Sequence, residues 1–120
     1  VRIAVASRGP DPTSQVDPRF GRAHSFLVFD TESGQYAILQ NSRSAAAAQG
    51  AGVKAAQLVS AENVDVVIAG NFGPKAFRAL SLSGAKMIIW SEGTVSQAVD
   101  LTKQGQLEFA NDASVEGHWM

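Results

Sequence analysis

Arg19-Phe20-Gly21-Arg22 sets two guanidinium groups around an aromatic ring and a turn glycine, and this is the stretch best suited to gripping an anion. A guanidinium offers a rigid fork of donors and is weakly hydrated, so it suits large soft anions as well as phosphate. Two glycine-bearing stretches add uncharged donors. Gly50-Ala51-Gly52 opens an amphipathic run, and Gly70-Asn71-Phe72-Gly73-Pro74-Lys75 follows an apolar one, with Pro74 where the first turn of a helix favours it. The first amides of a helix have no partner within it and sit at the positive end of its dipole, so each start can seat an anion. Asn71 can donate its side-chain amide, Lys75 adds charge, and Phe20 and Phe72 can exclude water. Each stretch also has a plainer reading. Asp17 could pair with Arg19 or Arg22 while Phe20 plugs the end of a sheet, and glycine pairs often only punctuate loops. Convergence of all three on one sheet end favours the anion site.

Other chemistries find less material. The chain has no cysteine, which removes disulfides, thiolate metal ligands and thiol catalysis together. Its two histidines, His24 and His118, lie far apart; His24 beside a strand start reads as a satisfied edge residue. His118-Trp119-Met120 offers an imidazole and a thioether, donors that suit copper, on a tail expected to be mobile. No Ser-His-Asp pattern, Walker motif or dinucleotide fingerprint is present, so the chain is expected not to be an enzyme. The 120 residues, 45% hydrophobic and 18% charged, are expected to form one soluble domain over 1–120. No apolar run reaches the roughly 20 residues of a membrane span, and no amino-terminal signal pattern is seen, so a cytoplasmic location is expected. A net charge of -1 argues against general nucleic-acid binding. That charge is uneven: Arg8, Arg19, Arg22, Arg43, Lys54, Lys75 and Arg78 all precede residue 80.

The positioning elements follow from periodicity. Val64 to Ala69 is too apolar to alternate and reads as a strand buried on both faces, the centre of a parallel sheet. Val1 to Ala6 is a first strand, and Ser25–Asp30 with Gln35–Gln40 flank a turn-like Thr31-Glu32-Ser33-Gly34. A helix from Gly52 to near Asn63 shows a small-sided core face of Ala55, Ala56 and Val59. A second starts at Pro74 and closes at Gly84. After a strand at Lys86–Trp90, Thr94 and Gln97 have capping-box spacing for a third helix that stops at Gly105. Residues 106–120 lack periodicity, with Leu107 and Phe109 expected to pack on the body. Ser7 to Pro18 is long and proline-rich and is expected to stay disordered until a ligand binds. Right-handed crossovers then give an α/β fold, a five-stranded mixed sheet of order 3-2-1-4-5 with three helices. That order is ribonuclease-H-like, but the first strand carries no acid and Asp65 sits at the wrong end of its strand for metal-dependent nuclease chemistry.

Val16 to Ala23, Gly50-Ala51-Gly52 and Val67 to Ala76, in this order and spacing, resemble the dinitrogenase iron-molybdenum cofactor biosynthesis family over nearly the whole chain. The resemblance implies a ribonuclease-H-like sheet without nuclease activity and non-covalent binding of an anionic metal-sulfur cluster. The absence of cysteine and the overall length point, within the family, to members that hold a mixed molybdenum-copper sulfide; for others a related iron-molybdenum-sulfur cofactor or precursor is implied. Many relatives carry histidine where this chain has Gln49, so an imidazole-metal bond is not available there and electrostatic holding is favoured. Arg19, Phe20, Arg22, Gly50, Gly52, Asn71, Phe72, Gly73 and Lys75 are the expected cluster-binding residues. The expected role is a carrier or assembly scaffold, with a protein partner for delivery or regulation. A small regulatory module using the same loop surface to bind a protein is the alternative, and an enzyme acting on a phosphorylated small molecule is a weaker third.

Overall fold

Four consecutive residues of strand Val66–Ala69 are buried on both faces, as their unbroken apolar run requires. In the computed structural model, which describes residues 1–41, 45–46 and 49–113, this strand lies fourth in a five-stranded sheet. The strands are β1 (Arg2–Ser7), β2 (Ser25–Asp30), β3 (Tyr36–Gln40), β4 (Val66–Ala69) and β5 (Lys86–Ile89). Their order across the sheet is β3-β2-β1-β4-β5. β1 runs parallel to β4, with Ile3 opposite Val66, and β4 runs parallel to β5. β2 is antiparallel to both β1 and β3. The carboxyl ends of β1, β3, β4 and β5 therefore share one edge of the sheet.

Alternation along β1 divides the core into two layers. Ala4 and Ala6 face one side and Ile3 and Val5 the other. On the alanine side lie the helices α1 (Ala51–Ser60) and α2 (Pro74–Leu82), through Ala55, Ala56, Val59, Ala76 and Leu80. Small side chains on both strand and helix bring α1 close to the sheet. On the other side a single helix, α3 (Val95–Lys103), lays Val95, Ala98 and Val99 over Ile3, Val5, Ile68 and Ile88.

Helix boundaries follow the expected residues within a few positions. α1 ends at Ser60 rather than near Asn63, which takes a left-handed φ of 55° that asparagine tolerates. Gly84 and Gly105, with φ of 94° and 70°, turn the chain after α2 and α3. β3 begins at Tyr36, one residue later than the pattern suggests. Leu107 packs against the α3 layer, but Phe109 remains 48% exposed, with the Lys86 ammonium 5.4 Å from its ring. The final tail with His118 and Met120 lies outside the described residues.

One expectation is overturned. The Ser7–Pro18 loop is tied down by the protein's own backbone: Asp17 N donates to Ala6 O at 2.8 Å, and Arg8 N to Gln15 O at 3.0 Å. Val16 N donates to Gly93 O at 3.0 Å, Val95 N to Ser14 O at 2.9 Å and Ser96 N to Pro12 O at 3.0 Å, and the Val16 side chain is buried. The loop spends its backbone donors and acceptors on the start of α3, a long-range partner that no local sequence pattern reveals.

Candidate anion cleft

At the shared carboxyl edge the chain makes a cleft of about 520 Å³ between the loop 19–22, the start of α1 and the start of α2. The loop is held in place from below. Gly70 N donates to Asp17 O at 3.2 Å and Phe20 N to Asn71 O at 3.2 Å, so the arginine loop is stitched to the turn after β4. Gly70 permits this, because a Cβ there would stand 2.5 Å from Pro18 Cα. Gly21 sits against α1 in the same way: its Cβ would fall 2.8 Å from both Cα and N of Gly52. Gly52 in turn faces Ala76 of α2, where an added Cβ would come within 3.3 Å of the alanine methyl. Three backbones thus meet with almost no side chain between them, which leaves their polar groups at the cleft surface.

Both helix starts are open. α1 has Gly50 at its N-cap with φ 72°, and α2 has Gly73; neither has a side-chain cap or an acid in its first turn. The first bonds close from Lys54 N to Gly50 O and from Phe77 N to Gly73 O, each 2.9 Å. That leaves the amides of Ala51, Gly52, Val53, Lys75 and Ala76 for solvent or a ligand. The dipoles of two helices point their positive ends into one space.

The charged side chains rim it. Arg19 N donates to Asp17 Oδ1 at 2.8 Å, and its guanidinium Nε lies 3.8 Å from the same oxygen. Asp17 is 4% exposed whereas the Arg19 side chain is 65% exposed, so the carboxylate fixes the loop while most of the guanidinium still faces out. Arg22 Nη1 donates to Ala45 O at 2.6 Å. Lys75 is exposed and has no ion pair among the described residues.

Of the nine expected residues, the structure gathers Arg19, Phe20, Arg22, Gly50, Gly52, Asn71, Gly73 and Lys75 around the cleft. Phe72 is not among them. It is fully buried, 5.2 Å ring to ring from Phe20 and 6.4 Å from Phe77, and it packs the α1–α2 layer instead of walling off the cleft. Phe20 touches the cleft but is 1% exposed, and its ring packs on Phe26 at 5.0 Å. Sequence reasoning missed Asn41. Buried at the end of β3, its Nδ2 donates to Ala23 O at 2.8 Å and Gly21 O at 3.4 Å, setting the exit of the arginine loop. Its importance is tertiary, and only its place directly after a strand hinted at it. His24 is exposed, with Nδ1 3.1 Å from Ser25 Oγ. Among the described residues no three of His, Cys, Asp or Glu come together as a metal site.

A family model described as dinitrogenase iron-molybdenum cofactor matches residues 1–105. The apo form of the orange protein from Desulfovibrio gigas is 38% identical, with a TM-score of 0.92 over 95% of this chain and 96% of that one. A Thermotoga protein solved by NMR and described as a candidate NifB protein is 37% identical, with a TM-score of 0.84 over 96% and 97% of the two chains. An uncharacterised protein from Methanocaldococcus jannaschii is 26% identical over 102 residues, 82% of this chain and 86% of its own length.

Proposed function

The chain belongs to the dinitrogenase iron-molybdenum cofactor family, and from that premise we propose that its cleft holds an anionic metal-sulfur cluster without covalent attachment, as a carrier or assembly scaffold. The observation that carries this reading is the facing of two uncapped helix starts across a cleft rimmed by Arg19, Arg22 and Lys75. A thiometallate cluster arrives with its own sulfide ligands and several negative charges. It asks the protein for N–H donors, cations and a partly apolar floor, not for thiolates. The five helix-start amides, the guanidinium groups and the apolar lining of Val53 and Pro74 supply that set, and the absence of cysteine removes competing ligands. The cargo we favour is a mixed molybdenum-copper sulfide, with an iron-molybdenum-sulfur cofactor or precursor next.

The cleft lining also supports a carrier over an enzyme. Among the described residues that line it, Lys75 is the only conventional acid-base group, and no hydroxyl, imidazole or carboxylate among them stands beside it as nucleophile or base.

The test is a titration of metal-free protein with tetrathiomolybdate, with and without a copper salt, read by visible absorption after gel filtration. Protein-bound colour that requires copper and saturates at a fixed stoichiometry is expected. Colour bound equally without copper would keep the anion cleft and discard the mixed cluster. No retained colour would discard the carrier role.

A further inference from the structure

α1 and α2 together carry Lys54, Lys75 and Arg78 and no acid, in a chain whose net charge is -1. The two helices pack side by side on one face of the sheet, and all three cations are exposed, with no ion pair among the described residues. On α2 the same outward stripe continues one turn past Arg78 to Leu82, which is 80% exposed and the most exposed large apolar side chain described. α3, on the opposite face, mixes signs through Asp100 and Lys103, as an ordinary solvated helix does. Unbalanced like charge leading up to a bare leucine at the helix end does nothing for folding. It matches the anatomy of a transient interface, an apolar anchor flanked on one side by charge of one sign.

We infer that the outer face of α1 and α2 is a docking surface for an acidic protein partner, one that presents carboxylates around a small apolar recess for Leu82. Three cations are few for a phosphate backbone, and Phe77, the one aromatic side chain of the two helices, packs against the core, whereas an anchoring leucine is useful only against protein or lipid. Lys75 belongs to both this face and the cleft rim, so a partner seated here would lie beside the cleft mouth. The docking surface itself does not depend on what the cleft holds.

The test is an NMR titration of the full 15N-labelled chain with a soluble peptide of glutamate and leucine. Expected are shift changes at Lys54, Gln57, Arg78 and Leu82, with binding weakened at least tenfold by Lys54→Glu with Arg78→Glu and several-fold by Leu82→Ser. The neutral pair Lys54→Gln with Arg78→Gln gives an intermediate loss and guards against misfolding of the charge reversal. The same titration on Arg19→Ala with Arg22→Ala is expected to be unchanged. Shifts confined to Arg22, Gly50 to Gly52 and Asn71 would mean the peptide enters the cleft, and would overturn the docking face while leaving the cluster reading intact. Absence of shifts at millimolar peptide, indifference to Leu82→Ser, or tighter binding to a single-stranded oligonucleotide or to phosphatidylglycerol vesicles would each overturn it.

Discussion

The start of α3 and the starts of α1 and α2 solve one problem in opposite ways. At α3 the Thr94 side chain accepts from Gln97 N at 3.2 Å, and the Gln97 side chain accepts from Thr94 N at 2.8 Å, a closed reciprocal cap. At α1 and α2 glycine stands at the cap position and the amides stay unclaimed. Glycine is a cheap way to leave them so. Against a good cap it costs only a few tenths of a kcal/mol, whereas a non-polar residue with a side chain costs about 1 kcal/mol. The difference separates a helix that closes its own start from two that leave theirs open beside the cleft.

Reversing the charge at the rim is the strongest way to break this contrast. Each charge-assisted contact is worth about 1.5–3 kcal/mol, so Arg19→Glu with Arg22→Glu is expected to lower retention of the tetrathiomolybdate-copper colour at least ~100-fold in equilibrium dialysis. Unchanged retention would mean that the cleft is not the seat. Next comes Gly21→Ala, whose methyl meets the Gly52 backbone; a loss of about 1–3 kcal/mol is expected in urea unfolding, with retention falling because the α1 start must shift. Thr94→Ala opens the closed cap and is expected to cost about 1 kcal/mol while leaving retention unchanged.

Gly73→Asp makes the reverse exchange. Gly73 has extended backbone (φ -70°, ψ 159°) and open space around its Cβ, so an aspartate fits and can cap α2. Stability should rise by a few tenths of a kcal/mol while colour retention falls, since the new carboxylate occupies the amides and adds negative charge. A gain in both would sink the idea that the open start serves the cargo.

The smallest effect lies away from the cleft, at the β2–β3 turn. Asp30 accepts from the backbone amides of Glu32 at 2.9 Å and Ser33 at 3.3 Å, which hold its carboxyl below the usual 3.8. A depressed carboxyl stabilises the fold above its unfolded value and loses that contribution as pH falls through the folded one. Thermal melts should therefore stay level from about pH 7 to 5 on this account and drop below about pH 4, less so in Asp30→Asn, with no change in cluster retention.

Much of this arrangement is legible in the residues. The apolar run of β4, the Thr94–Gln97 spacing and the proline after Gly73 report local geometry, and the sheet order follows from them with the handedness of crossovers. What stays hidden is where side chains go once distant segments meet. Phe72 lies next to cleft residues in sequence, yet its ring turns into the core because Phe20 and Phe77 are there to receive it. The Ser7–Pro18 loop reads as loose because its partners, Gly93 and the first turn of α3, come some eighty residues later in the chain. Gly21 reads as a turn glycine, and its contact with Gly52 emerges only in three dimensions.

The parallel pairing of β1 with β4 has a consequence for timing. Ile3 and Val66 are separated in the chain by the hairpin and α1, and closing so long a loop is among the slower steps a small chain takes. The cleft needs that pairing, since one wall hangs from the end of β1 and the other from the end of β4. A chain still emerging during synthesis has the arginines before it has the second helix start. On the proposed carrier role, cargo would be held only by a finished fold, and its retention would double as a report that folding is complete.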